Sequence, residues 1–172
     1  DLRLLVRNAL RMRADRIIVG EVRGEEVFDM LQAMNVGHDG SLTTIHANNP
    51  RQVLKRMETL AMLADGQAAR ETVRDLIESA VQLIVQIART ASGHRQITSI
   101  CELQMVDSDC QVAELFAVSR DAPHRQDNGE YGPSSFRHGG VRPAFFDEIP
   151  GKGLAVPDAL NVLWPSEANR LC

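Results

Sequence analysis

The chain has 172 residues, 44% hydrophobic and 24% charged, which is ordinary for a globular protein with room for one core and a tail. Aromatics at 4% leave little for a base-stacking platform, and a formal charge of -4 argues against a general nucleic-acid binder. The cysteines Cys101, Cys110 and Cys172 lack paired spacing, which argues against a disulfide framework or a zinc site and fits a reducing compartment.

The longest apolar stretch, Ala80 to Ala88, is broken by Gln82 and Gln86 and falls short of the roughly 18 residues of a membrane span. No signal peptide is visible. The chain begins without methionine, directly in a helical pattern, and is expected to be the C-terminal piece of a longer protein.

Leu2, Leu5, Val6 and Ala9 repeat at helical spacing, with Met12 on the same side. Arg3, Arg7 and Arg11 fall at i, i+4 spacing on another face, a cationic stripe. It reads either as a phosphate or inter-subunit contact or as a solvated helix face. Ile17 to Val19 is a short, fully apolar strand. Gly24-Glu25-Glu26 opens a second helix with acids in its first turn, where the macrodipole favours them. Val27, Leu31 and Met34 are its buried face, and Gly37 stops it.

Ser41 to His46 reads as a second strand. Asn48 or Asn49 caps a third helix with Pro50 in its first turn, Val53, Met57 and Leu60 inward, and Asp65-Gly66 as its break. A fourth helix turns Val73, Leu76, Ile77 and Ala80 inward. Leu83 to Ala88 and Gln96 to Leu103 form two strands joined at Ala91-Ser92-Gly93, and Gln111 to Val118 forms another. From Asp121 to Gly140 the composition turns to Pro, Gly, His, Ser and Asn, a loop or linker. Val141 to Ile149, with Phe145 and Phe146, docks back, and Leu160, Leu163 and Trp164 have the character to pack. The expected organisation is a domain over 1–120, a linker over 121–140 and a docking segment and tail over 141–172.

A carboxylate at the carboxyl end of a buried strand sits where open α/β sheets bind ligands. Glu21, after Ile17-Ile18-Val19-Gly20, is therefore placed to orient or deprotonate a water. The bland alternative is a chain simply leaving the core. Thr43, Thr44 and His46 end the next strand, where a histidine can hydrogen-bond a terminal phosphate; the bland alternative is an ordinary polar strand end. Arg23 must lie near the same strand end as Glu21, or else serves Glu25 or Glu26. Metal ligation by His38 and His46 has no supporting acid or cysteine cluster, so no metal-binding residue is assigned. The only Gly-Lys, Gly151-Lys152, is not a phosphate loop: Phe146 stands where glycine is required and Gly153 where Ser or Thr is required.

Taken together, the block from Leu4, LLVRNALRMRADRIIVGEVRGEEVFDMLQAMNVGHDGSLTTIHANNPRQVLKRMETL, followed by AVQLIVQIAR and RQITSICEL, resembles the secretion ATPases of type II and type IV systems. Within them it resembles most the CpaF-type ATPases of tight-adherence pili. A weaker resemblance runs through Val112 to Val118 and Val141-Arg142-Pro143.

The resemblance implies an α/β fold: the C-terminal part of a RecA-like P-loop domain, a parallel sheet flanked by helices, with an antiparallel C-terminal β hairpin. It implies that IIVGE is the Walker B strand, with Glu21 as catalytic base. GHDGSLTTIHAN is then the His box, with His46 beside the γ-phosphate and His38 as the earlier box histidine. Arg23, His38 and Thr44 are the implied nucleotide-contacting residues, and ATP with Mg2+ the implied ligands. The implied partners are five further copies in a homohexamer and an inner-membrane platform protein. The implied setting is cytoplasmic and peripheral to the inner membrane, with no direct nucleic-acid contact.

Two departures stand out. Ala14 replaces a usual proline, and the Walker A loop and Asp box would lie upstream of Asp1. The chain alone is therefore expected not to turn over ATP. The open alternatives are a non-catalytic module binding a platform protein or neighbouring subunit, and a DNA-transfer ATPase of the same superfamily.

Overall fold

The computed structural model describes residues 1–64, 66, 68–89, 93–106, 109–119 and 136–164. Asp65, Ala91, Ser92, Cys172 and most of the expected linker, 121–135, lie outside the described residues. The chain divides into one unit of Asp1–Ile84 with Met105–Val112, and a second of Val85–Gln104 with the described residues from Ala113 onward.

The first unit is built on a strand–helix–strand repeat. β1 (Ile18–Val19) and β2 (Leu42–Thr43) pair in parallel, with Ile18 opposite Leu42 and Val19 opposite Thr43. α2 (Glu26–Asn35) connects them. Parallel neighbours need such a crossover, so both carboxyl ends fall on one edge. The strands are shorter than the expected 17–19 and 41–46. Beyond them the ladder continues as single hydrogen bonds, Leu42 N–H to the Ile17 carbonyl at 3.1 Å and Val22 N–H to the Thr44 carbonyl at 2.9 Å.

β1 is not buried on both sides. Ile17 and Val19 are buried, whereas Ile18 is 72% exposed beside Leu42, which is 60% exposed. A period of two therefore governs the run, and its continuous apolar character hid this.

α1 (Leu2–Ala9) precedes β1, α3 (Pro50–Ala64) and α4 (Arg70–Ala80) follow β2, and α2 packs against all three. The core is Val6, Val22, Val27, Met30, Leu31, Val53, Met57, Ala61, Val73 and Ile77. Asn49 Oδ1 accepts the Gln52 N–H at 3.0 Å and caps α3, one of the two caps expected. Gly37, just past α2, has φ +98°, a conformation glycine adopts without steric cost. α1 is shorter than expected. It ends at Ala9, Arg13 turns left-handed with φ 53°, and Leu5 and Met12 face outward, because only Val6 reaches the core.

The later strands are β3 (Leu83–Arg89), β4 (Arg95–Val106), β5 (Asp109–Val118) and β6 (Phe136–His138), in that spatial order in an antiparallel sheet. β6 falls where a loop was expected. Phe136 pairs with Val118 and His138 with Phe116, and Gly139 N–H donates to the Leu115 carbonyl at 2.7 Å. Glycine is required there, since a Cβ would sit 2.0 Å from the Glu114 carbonyl oxygen. The composition that suggested a loop includes this close approach.

In the second unit, Leu115, Phe146 and Trp164 form a cluster with Phe145, Val141 and Leu160 around it. Within 141–151 the chain forms a 3-10 turn (Ala144–Asp147) and α5 (Glu148–Gly151). Buried Glu102 accepts the Ala144 N–H at 2.8 Å, so a carboxylate of β4 caps that turn. α6 (Asp158–Leu163) brings Trp164 inward, and its indole N–H donates to the Val141 carbonyl at 2.6 Å.

Candidate active site

The carboxyl edge of β1 and β2 gathers Gly20, Glu21 and Arg23 from one strand end and Thr44 and His46 from the other. Thr44 fixes the register of the two ends. Its hydroxyl donates to the Gly20 carbonyl at 2.5 Å while its carbonyl accepts the Val22 N–H. Glu21 sits between these two bonds.

The Glu21 carboxylate has two unlike oxygens. Oε2 accepts Arg23 Nε at 2.6 Å and lies 2.6 Å from Arg23 Nη2. Oε1 lies 2.7 Å from His46 Nε2. Oε1 is shielded from solvent and has no formed hydrogen bond. The Arg23 guanidinium holds the Glu21 carboxyl below the usual carboxylate range, with partial burial opposing it and His46 and Arg56 adding smaller downward pulls. Arg56 belongs to α3, so three elements send charge toward Glu21.

The loop carrying Arg23 is tied down. Glu26 Oε1 accepts the Arg23 N–H at 2.6 Å and the Gly24 N–H at 3.0 Å. Arg23 thus pairs with Glu21, and Glu26 holds the backbone beneath it.

His38 is elsewhere. It precedes β2, at the amino edge of the strand pair, where its carbonyl accepts the Ser41 hydroxyl at 2.7 Å and that hydroxyl accepts the Ile17 N–H at 2.9 Å. Its Nδ1 is buried without a hydrogen bond. The structure therefore brings together Glu21, Arg23, Thr44 and His46, and leaves His38 at the other end of β2.

The arginine stripe of α1 has a third explanation beyond the two its spacing offered. Arg3 Nε lies 2.5 Å from Asp29 Oδ2 and Arg7 Nε 2.7 Å from Asp29 Oδ1. Asp29 is 3% exposed, so two guanidinium groups neutralise one buried carboxylate on α2. The available signal was an acid inside the apolar run Val27 to Leu31 together with arginines at i, i+4 on the preceding helix, 22 and 26 residues away.

Oε1, without a formed hydrogen bond, can accept from a water, and the exposed Arg23 and His46 side chains can donate to the terminal oxygens of a phosphate substrate. A metal is different. Among the described residues no group of three His, Cys, Asp or Glu could hold one.

Fold and site together define a mixed α/β protein with a carboxylate, an arginine and a histidine gathered at parallel strand ends. The sequence model of the "Type II/IV secretion system protein" family matches residues 1–131, and this chain belongs to that family. A Mycobacterium tuberculosis protein named provisionally for conjugal transfer is 44% identical over 118 residues, 69% of this chain and 33% of its own length. Conjugal transfer protein TrbB of Rhizobium radiobacter is 41% identical over 124 residues, 72% of this chain and 37% of its own. The chain thus spans about a third of the length of these curated relatives. The crystal structure of the VirB11 ATPase from the Brucella suis type IV secretion system in complex with sulphate superimposes with a TM-score of 0.54. It is 27% identical, over 58% of this chain and 32% of that one. No helix among the described residues is long and apolar enough to cross a membrane.

Proposed function

We propose that this chain is the C-terminal part of a RecA-like, hexameric ATPase that powers transport through a type II or type IV secretion system. The observation that carries this is the shielded Oε1 of Glu21, without a formed hydrogen bond, facing His46 at the carboxyl edge of the parallel strands. Family membership supports the motor class, and the solved VirB11 structure named an ATPase supports the nucleotide.

Glu21 acts as general base. Water loses its proton to Oε1, its oxygen bonds the terminal phosphorus, and the bridging oxygen leaves with ADP. His46 donates to the terminal phosphate and reports its loss to the strand end. Thr44 holds the two strand ends in register. Mg2+, when bound with the nucleotide, would supply neutralisation of phosphate charge. His38, at the opposite edge, is not carried into this site. The motor works at the cytoplasmic face of the inner membrane against a platform protein.

The decisive test uses the intact ATPase. Glu21→Gln should keep ATP affinity and lose about 10²-fold or more in turnover. Turnover at the parental rate rejects the assignment.

The cargo has two readings. A tight-adherence pilus rests on the resemblance of the motif block to CpaF-type ATPases. The relatives named for conjugal transfer, and the PtlH protein of the Bordetella pertussis type IV secretion system, support a type IV cargo instead. Deleting the gene and scoring surface pili against DNA or protein transfer separates the two.

A further inference from the structure

Resting on the reading of Glu21 as base, we propose that Arg23 is a positioning residue for hydrolysis: it ties down Glu21 Oε2 so that Oε1 alone meets the attacking water. A base needs one lone pair aimed at its proton and no freedom to turn away. Arg23 approaches Oε2 with two nitrogens, Nε and Nη2, each at 2.6 Å, which pins that oxygen and leaves the other to the water. Oε1 is left shielded and without a formed hydrogen bond.

The arginine is itself anchored. Glu26 Oε1 holds its backbone N–H, and Glu26 opens α2, whose next residue, Val27, is in the core. The guanidinium is not held for stability's sake. Its side chain is 74% exposed, and exposed ion pairs add little to folding. Losing the pair therefore leaves the fold in place and changes the aim of the carboxylate. The charged groups facing Glu21 are Arg23 on its own loop, His46 beyond β2 and Arg56 of α3. Of these, Arg23 has the largest influence on the carboxyl and is the one that touches Oε2 among the described residues.

The test is the pH profile of kcat/KM in the intact ATPase. Arg23→Gln should move the acid limb to higher pH, because the group that keeps the carboxylate ionised is gone. It should also lower kcat by about 10- to 10²-fold with KM little changed. Arg23→Lys keeps a cation but not the fork, so its acid limb should stay near the parental one while kcat recovers only in part. If Arg23→Gln is too slow for a profile, the carboxyl carbon signal of Glu21, titrated in this chain without nucleotide, must move upward in the same way. An unmoved titration, or parental kcat in Arg23→Gln, overturns the positioning role. Glu21→Gln at the parental rate would instead remove the reading beneath it. Glu21→Gln inactive, with the Arg23→Gln limb unmoved, overturns the positioning role alone.

Discussion

Thr44 grips the backbone on both sides of Glu21: its hydroxyl donates to the Gly20 carbonyl at 2.5 Å and its carbonyl accepts the Val22 N–H at 2.9 Å. Two bonds from one residue fix the direction in which the carboxylate leaves the strand. The strand pair is only two residues long by regular pairing, so these bonds extend the ladder to the point where chemistry is proposed.

Thr44→Val keeps the shape and the backbone bond but removes the hydroxyl. Turnover of the intact ATPase should fall by about 10-fold or more, since small misplacements of a base are costly. ATP affinity and the unfolding midpoint should stay close to parental. Thr44→Ser should restore the rate. If Thr44→Val hydrolyses normally, the hydroxyl has no part in aiming Glu21.

The Asp29 network gives an asymmetric stability prediction. Asp29→Ala leaves Arg3 and Arg7 with access to water, at side-chain exposures of 25% and 57%. The double variant Arg3→Gln, Arg7→Gln instead strands a carboxylate that is 3% exposed, and burying an unpaired charge is the costlier error. Urea unfolding of this chain should show the lower midpoint for the double variant. Equal midpoints would mean that Asp29 is neutralised some other way.

The sequence carried the first unit well because its signals are local. Acids opening α2, Gly37 past its end and Asn49 before Pro50 each act within a turn, and each is found in place. What escaped depends on distant partners. Ile18 reads as buried because its neighbours are apolar, yet its exposure depends on whether anything covers that face. Asp29 and Glu102 are buried acids whose meaning comes from guanidinium groups 22 to 26 residues away and from backbone N–H groups 42 to 43 residues away. The strand ends that gather Glu21, Arg23 and His46 were legible. Arg56, whose charge on α3 weakly favours the same carboxylate, carried no motif. His38 shared the motif with His46, but a strand separates their edges, and proximity in sequence could not reveal that.

Glu58 supplies a pH dependence of stability. The Arg70 guanidinium, with Arg74 behind it, holds this buried carboxyl on α3 below its ordinary value of 4.5. A depressed carboxyl stabilises the fold fully above its unfolded pKa, and the stabilisation is lost as pH falls through the lower folded value. The urea midpoint of this chain should therefore drop on acidification below about pH 4.5, and Glu58→Gln should flatten part of that drop. A drop of the same depth in Glu58→Gln would place the acid sensitivity on other carboxylates.

His46 tests whether sensing and catalysis are separable. Its side chain is 81% exposed, and its Nε2 lies 2.7 Å from the oxygen proposed to take the water's proton. For water to reach Oε1, the imidazole must turn away, and a terminal phosphate oxygen gives it somewhere to turn. Sensing and release of the base then become one movement. His46→Ala removes the obstacle and the sensor together. In the intact ATPase it should leave measurable hydrolysis while weakening the dependence of subunit closure and transport on bound ATP. Glu21→Gln should do the reverse, closing on ATP without turning it over. ATP affinity, phosphate release and transport measured side by side in both variants decide the matter. If His46→Ala matches the parent in affinity and transport, the imidazole is only the end of a strand, and its closeness to Glu21 has no mechanistic consequence.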